Sequence, residues 1–231
     1  VLHKAMETLY KPFLGSFLSG DKLKEQLHKI RAVVKNELLK IYAEEDIMRG
    51  KNLIAFNVIV AYINNFIVKE IQDIKHHRIK IIALENELSI KFDVPGIEIP
   101  VNLKGTLDRI DEKDGILRIL DYKTGNVINS NVEIVLWDEI IENYDNSKAF
   151  QLLCYSFIYQ IMNPIEKMHA GIISFKNLST GPFYFSTKKS RTSRNKDLNI
   201  TKETLDLFQE QLIKLIQEIA NPAIPFIAKE D

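Results

Sequence analysis

The sequence is poor in cysteine: Cys154 is the only one among 231 residues. One cysteine excludes a disulfide framework and a cysteine-based metal site within this chain. Neither charge is in excess, because 31 acidic residues balance 31 basic ones, and a neutral total can still contain a basic groove for nucleic acid. No apolar run approaches the roughly 20 residues of a membrane span, and residues 1–10 lack the layout of a signal peptide. We therefore expect a soluble, cytoplasmic protein with no membrane partner.

Hydrophobic periodicity separates a helical first third from a mixed remainder. Apolar residues at helical spacing predict three helices in residues 1–78. The third, residues 52–77, is apolar nearly all round and is therefore predicted to be buried. The strands predicted by alternation are 79–94, 97–111, 115–124, 168–177 and 182–187, and the later helices are 146–162 and one beginning at Thr201. This order favours one α/β domain with a mixed sheet.

The segment 105–125, GTLDRIDEKDGILRILDYKTG, predicts a hairpin. Asp114-Gly115 is typical of a two-residue type I′ turn, and that turn places Asp108 opposite Asp121. A four-residue loop would make the two aspartates diagonal neighbours on the same face. Lys123 shares the face of Asp121 because alternate residues of a strand point to the same side. Facing carboxylates repel each other, so this arrangement needs something that offsets the repulsion.

Two carboxylates about 5 Å apart with a lysine beside them suit a hard divalent cation. Such a cation polarises a phosphoryl oxygen and lowers the pKa of a bound water. A lysine can orient or help deprotonate the attacking water, or stabilise charge on the phosphate. These properties favour phosphodiester hydrolysis. The alternative is a solvent-facing Asp-x-Lys ion pair of little energetic weight, and the spacing alone leaves it open.

Four motifs occur in a fixed order along residues 3–155. They are VLHKAMETLY with His3, GTLDRID with Asp108, ILDYKTG with Asp121 and Lys123, and AFQLLCY with Gln151 and Tyr155. In this order they resemble the PD-(D/E)XK nuclease superfamily, and in particular its RecB-like branch. That branch includes the C-terminal nuclease domains of AddB-type and RecB-type proteins.

The resemblance implies a restriction-endonuclease-like fold, in which helices flank a mixed central sheet and the N-terminal third is helical. It also implies that His3, Asp108 and Asp121 bind a metal ion, with the backbone carbonyl of Tyr122 as a further ligand. Lys123 would be the catalytic lysine, acting with Asp108 and Asp121. The implied cofactor is Mg²⁺ or Mn²⁺.

Further residues are expected to contact DNA. Gln151 and Tyr155 lie one helical turn apart and, with Arg109, are expected at the DNA or at the edge of the active site. A buried helix anchored by a tyrosine hydroxyl is the alternative for the first two. The basic loop 187–197 could contact phosphates, although a solvated loop would have the same composition. Its basic residues are Lys188, Lys189, Arg191, Arg194 and Lys196.

Two other pairs are interpreted as ordinary surface. Glu85 and Glu87 lie two positions apart in the predicted strand 79–94. One of them could support the metal ligands from behind, but a solvated strand face is the preferred interpretation. His76 and His77 are interpreted as a polar connection.

The resemblance implies a metal-dependent DNA exonuclease in double-strand break repair and recombination. We expect residues 1–231 to be one domain of a longer helicase–nuclease-type protein, with DNA as substrate and a helicase domain or partner subunit beside it. Its parts would be a helical segment 1–78, the catalytic sheet and Gln-x-x-x-Tyr helix in 79–187, and the basic loop and last helix in 188–231. Relatives with four cysteines hold an iron–sulfur cluster; Cys154 alone cannot, so no cluster is expected within this chain. The alternatives are an inactive nuclease-fold module that binds DNA or scaffolds a partner, and a stand-alone nuclease.

Overall fold

The computed structural model describes residues 1–225. The helices in this range are Leu2–Tyr10 (α1), Gly20–Leu39 (α2), Glu44–Ile47 (α3), Gly50–Asp73 (α4), Glu139–Glu142 (α5), Ser147–Met162 (α6) and Lys202–Ala220 (α7). The strands are Ile79–Phe92 (β1), Val101–Lys113 (β2), Ile116–Lys123 (β3), Glu133–Ile134 (β4), Lys167–Ser174 (β5), Phe183–Tyr184 (β6), Ser186–Thr187 (β7) and Ile200–Thr201 (β8). Residues 226–231, which end the predicted segment 188–231, lie outside the described part of the chain.

The main sheet is mixed, as predicted. Its strand order is β1-β2-β3-β5-β6, with β8 paired to β5, while β4 and β7 form a separate two-stranded sheet. β2 and β3 are antiparallel, whereas β3 and β5 are parallel. Helices α1, α2 and α4 pack in one hydrophobic cluster with β1, β3 and β5 of this sheet. The predicted α/β fold is therefore confirmed. The short elements α3, β4, α5 and β8 are additions that periodicity did not reveal, and the predicted strand 182–187 is divided into β6 and β7, which lie in different sheets.

The contacts divide the chain into two compact units. Unit 1 contains Val1–Asn86, Thr106–Ile128 and His169–Tyr184, and unit 2 contains the remaining described residues. Unit 1 therefore holds α1–α4, β3, β6 and most of β1, β2 and β5. Unit 2 holds α5–α7 and the two-stranded sheet. Every predicted metal ligand lies in unit 1.

The core of unit 1 forms because its helices are amphipathic. In α1, the buried residues Leu2, Met6 and Leu9 recur at helical spacing and line one face. They join a cluster that includes Leu120 of β3 and Ile173 of β5. The N-terminal helix is thereby packed with the two strands at the middle of the sheet, which brings His3 into reach of the strand ends.

Helix α4 differs from its prediction, because it is buried on one face and not all round. Ile63 and Ile67 are fully buried, whereas Ile54 is 64% exposed. By length and composition, with a mean hydropathy of 1.4, α4 is the one helix within residues 1–225 that could cross a membrane. Core helices of soluble proteins meet the same criterion, and the buried face of α4 belongs to the core of unit 1. Its hydropathy is therefore only weak evidence for a membrane span.

The predicted hairpin is present in the predicted register. Asp114 and Gly115 have φ values of 52° and 85°, as a type I′ turn requires. The pairing runs from Lys113 opposite Ile116 to Arg109 opposite Leu120. The turn is also fixed from outside, because the Asp114 carboxylate accepts a hydrogen bond from the Arg78 amide at 2.8 Å.

Replacing Gly115 by alanine should lower the free energy of unfolding by about 1–2 kcal/mol, because the left-handed region costs an L-residue that amount. Gly125→Ala is the matched control. At both positions a Cβ would meet no atom within 4 Å, but only Gly115 of the two has a left-handed φ. Urea unfolding measures the difference, and equal midpoints for the two variants would contradict the expectation.

Candidate metal centre

The backbone of Tyr122 connects two of the predicted ligands. Its amide donates a hydrogen bond to Asp108 Oδ2 at 2.6 Å. Its carbonyl oxygen lies 3.0 Å from His3 Nε2, which in turn lies 3.6 Å from Asp108 Oδ2. The structure therefore brings together His3 from the first turn of α1, Asp108 from β2 and the Tyr122 carbonyl from β3.

Glu85 of β1 joins this group, although sequence reasoning assigned it to a solvated strand face. Ligand atoms of His3, Glu85 and Asp108 all lie within 4.8 Å of one another. The Glu85 side chain is only 11% exposed, and its Oε2 pairs with Lys4 at 3.1 Å. Its Oε1 is buried with no hydrogen-bond partner among residues 1–225. The surface interpretation was wrong for Glu85, whereas Glu87 is exposed as expected.

Asp121 and Lys123 form an ion pair of their own. Asp121 Oδ2 lies 2.9 Å from Lys123 Nζ, with side-chain exposures of 5% and 34%. Extending the hairpin register by one pair places Asp121 opposite Asp108. Asp121 is nevertheless not in the group of converging ligand atoms, so its role as a metal ligand stays a prediction.

The two aspartates lie in an environment that disfavours negative charge. Burial raises the pKa of Asp108 to about 6; the hydrogen bond from the Tyr122 amide opposes this shift, and the charge of Asp121 adds to it. Burial likewise raises the pKa of Asp121, against the opposing effect of Lys123. The negative charge is therefore incompletely compensated by the residues present.

The donor set fits a divalent cation. The carboxylates of Asp108 and Glu85 and the carbonyl of Tyr122 offer the oxygen ligands that suit Mg²⁺ or Mn²⁺, and His3 offers one nitrogen. The buried, unpartnered Glu85 Oε1 is an acceptor that such an ion would satisfy.

A family model of the PD-(D/E)XK nuclease superfamily matches residues 1–231. The chain belongs to this superfamily. Its members are metal-dependent nucleases that typically use Mg²⁺, which agrees with the donor set found between α1 and the central strands of unit 1. No curated protein matches the chain.

Arg109 does not lie where the superfamily motif led us to expect it. Its side chain is fully buried and pairs with Glu70 and Asp111, each at 2.7 Å. Because Arg109 follows Asp108 directly, its side chain lies on the opposite face of β2. The prediction that Arg109 contacts DNA or the edge of the active site was therefore wrong; the residue belongs to the core of unit 1.

Gln151 and Tyr155, both in unit 2, are joined by a hydrogen bond. Gln151 Nε2 donates to the Tyr155 hydroxyl at 2.7 Å, and both residues are partly buried. The Tyr155 ring packs directly on Gly105, where a Cβ would lie 2.8 Å from Cε1 of the ring. This close approach explains why a glycine begins the GTLDRID motif. Contact of either residue with DNA stays a prediction.

The basic loop is partly neutralised within unit 2. Glu133 forms ion pairs with Lys188 and Lys196, and Arg191 pairs with Glu139. Lys189 and Arg194 are exposed, with no ion pair found for them among residues 1–225. Among the predicted phosphate contacts, Lys189 and Arg194 are therefore the two that form no ion pair with residues 1–225.

Mn²⁺ affinity should decrease as the pH falls through about 6, because protons compete with the metal for Asp108. Without metal, the stability of the fold has the opposite pH dependence and increases as the pH falls. The pKa of Asp108 in the folded protein exceeds the ordinary aspartate value of 3.8, so lowering the pH from 7 to 5 relieves the cost of burying the charged carboxylate and adds stability. Titration of Mn²⁺ at several pH values tests this. Asp108→Asn should bind more weakly and with a shallower pH dependence; identical pH dependences would contradict the expectation.

Replacing Gly105 by alanine should destabilise the protein by roughly 1–3 kcal/mol, the usual cost of overpacking, because the new methyl group overlaps the Tyr155 ring. The same replacement in a Tyr155→Leu background should cost less, since a smaller side chain can move away. Chemical unfolding of the four proteins in this cycle measures the coupling. Additive losses would show that Tyr155 is not the obstacle.

Proposed function

We propose that this chain is a metal-dependent deoxyribonuclease that hydrolyses phosphodiester bonds, and that it is an exonuclease of the RecB-like branch in double-strand break repair. The observation that carries the proposal is the convergence of His3, Glu85 and Asp108 within 4.8 Å. The superfamily match supports the reaction class. The RecB-like branch, the repair role, and a helicase domain or partner subunit rest on the order of the four sequence motifs.

A bound Mg²⁺ or Mn²⁺ would polarise a phosphoryl oxygen and lower the pKa of a water molecule. The chain supplies the positions of the ligands. The Tyr122 amide fixes the rotation of the Asp108 carboxylate by its hydrogen bond, and Lys4 fixes that of Glu85. Ligands held in this way need little rearrangement when the ion binds.

In this proposal Lys123 is the residue that acts on the substrate. It is one-third exposed, so its ammonium can reach both Asp121 and a phosphate at the surface. A lysine there would orient the attacking water or stabilise the charge that develops on the phosphate. Asp121 restrains this lysine through their ion pair at 2.9 Å. Inactive modules of this kind lose such residues, whereas the chain keeps Asp108, Asp121 and Lys123, which counts against that alternative.

The test is degradation of end-labelled linear single- and double-stranded DNA with Mg²⁺ or Mn²⁺, beside Asp121→Asn and Lys123→Ala. We expect metal-dependent cleavage that falls by at least about 100-fold in both variants, in the range of a lost charge-stabilising group. Asp21→Asn and Lys24→Ala are matched controls, since this i,i+3 pair on α2 is strongly exposed and includes none of the site residues. Both controls should cleave normally.

Three other outcomes would each mean something different. Equal cleavage by all proteins would indicate a contaminating nuclease. Cleavage of RNA but not of DNA would correct the substrate. Binding of Mn²⁺ without cleavage by the intact chain would favour the inactive module that binds DNA or scaffolds a partner.

A further inference from the structure

We propose that the buried hydrogen bond between Tyr10 and Glu70 positions His3 against Asp108 at the candidate metal centre. This inference rests on the proposed function, because it concerns the same ligands. Tyr10 and Glu70 would be positioning residues, since neither contacts the substrate or the ion. They act through the helix and the strand that carry the ligands.

Glu70 connects three elements of unit 1. It projects from α4 and is 7% exposed. One of its carboxylate oxygens accepts a hydrogen bond from the Tyr10 hydroxyl at the end of α1. The other lies 2.7 Å from Arg109 of β2. One carboxylate is therefore bound to both elements that carry the side-chain ligands His3 and Asp108.

The path from Glu70 to His3 runs along α1. His3 and Tyr10 are seven residues apart, so they lie on nearly the same side of the helix and about 10 Å apart along its axis. The apolar contacts of Leu2, Met6 and Leu9 hold the helix in the core, but such contacts are not directional. The hydrogen bond of Tyr10 is directional, and it therefore restricts sliding and rotation of α1, which would move the His3 ring.

The path from Glu70 to Asp108 is shorter. Arg109 is adjacent to Asp108, and its guanidinium is fully buried between Glu70 and Asp111. It also lies over the ring of Tyr10, 5.1 Å from the ring centre. These contacts restrict the movement of the Arg109 guanidinium, and they thereby also restrict the backbone of the neighbouring Asp108.

Packing alone does not account for the polar link. A phenylalanine at position 10 would fill the same space beside Phe13 and Phe66, whose rings lie 5.9 and 6.1 Å away. Burying a tyrosine hydroxyl and a carboxylate carries a desolvation cost that their hydrogen bond must offset. The hydroxyl adds a directional hydrogen bond that fixes the orientation of α1. A metal ligand at the other end of this helix, His3, requires such a fixed orientation.

The test compares Tyr10→Phe, His3→Ala and the double variant by Mn²⁺ titration with electron paramagnetic resonance. Tyr10→Phe should weaken Mn²⁺ binding about tenfold, the low end of the effect of removing a partner of a metal ligand. In the His3→Ala background the same change should have no further effect, because the residue it positions is absent. Additive losses, or an unchanged affinity for Tyr10→Phe, would overturn the inference.

Asp73→Asn is the matched control. Asp73 of α4 pairs with Lys113 of β2 at 2.6 Å, so it joins the same helix to the same strand, and within residues 1–225 no hydrogen bond or ion pair connects it to α1. This variant should lower the thermal midpoint and leave Mn²⁺ affinity within about twofold, below the roughly 10- to 100-fold effect of removing a partner of a metal ligand. An equal loss of Mn²⁺ affinity in Asp73→Asn and Tyr10→Phe would mean that general loosening, not positioning, is measured.

A metal-free measurement separates this inference from the proposed function. The ¹H–¹⁵N signals of the His3 imidazole should shift in Tyr10→Phe but not in Asp73→Asn. If the intact chain binds no Mn²⁺, the metal-dependent function fails while the imidazole signals still decide the positioning. If coupling is found but DNA is not cleaved, the nuclease proposal fails and the positioning stands. Unmoved His3 signals in Tyr10→Phe would overturn the inference whatever the activity.

Discussion

The backbone of Tyr122 is the constraint on which the candidate metal centre depends. Its amide holds Asp108, and its carbonyl faces His3, while its side chain is buried with Phe66 and Phe175. Backbone atoms cannot rotate as a side chain does, so the position of the strand sets the position of both groups. The hydrophobic core of unit 1 thereby fixes the geometry of the site.

A second constraint is the buried charge behind the site. Glu70, Arg109, Asp111 and Arg118 are all nearly inaccessible to solvent, and their two positive and two negative charges cancel. Burial alone would lower the pKa of Arg109, but the adjacent Glu70 and Asp111 raise it well above its ordinary value. Removing one partner of such a network typically costs about 3–5 kcal/mol, although an apolar replacement of the whole set can be neutral. The network is thus better understood as fixing which elements meet than as a source of stability.

Sequence reasoning was most successful where one local rule determines the geometry. The dipeptide Asp114-Gly115 determined the turn, and strand alternation then gave the pairing partners and the shared face of Asp121 and Lys123. It failed for Glu85 because that residue has a φ of 45°, which interrupts the extended strand. The alternation of side chains along the strand therefore does not predict which face Glu85 lies on. It failed for Arg109 because an arginine is usually exposed, and the buried partner Glu70 is distant in sequence. Alternation around Asp108 contained the correct signal, since it directs adjacent side chains to opposite faces.

The charges at the site explain why Asp108 is central. Of the three carboxylates, Glu85 is paired with Lys4 and Asp121 with Lys123. Asp108 has no lysine or arginine partner among residues 1–225; its neighbours are the Tyr122 amide and the His3 ring. Burial raises its pKa to about 6, and the charge of Asp121 adds to that shift. A cation placed among these groups would therefore gain most from Asp108, at the point where His3, Glu85 and the Tyr122 carbonyl also converge. Of the two facing aspartates of the hairpin, Asp121 is thus neutralised by Lys123, whereas the negative charge of Asp108 is not. Asp108 is also the aspartate that lies where the other metal-binding groups meet.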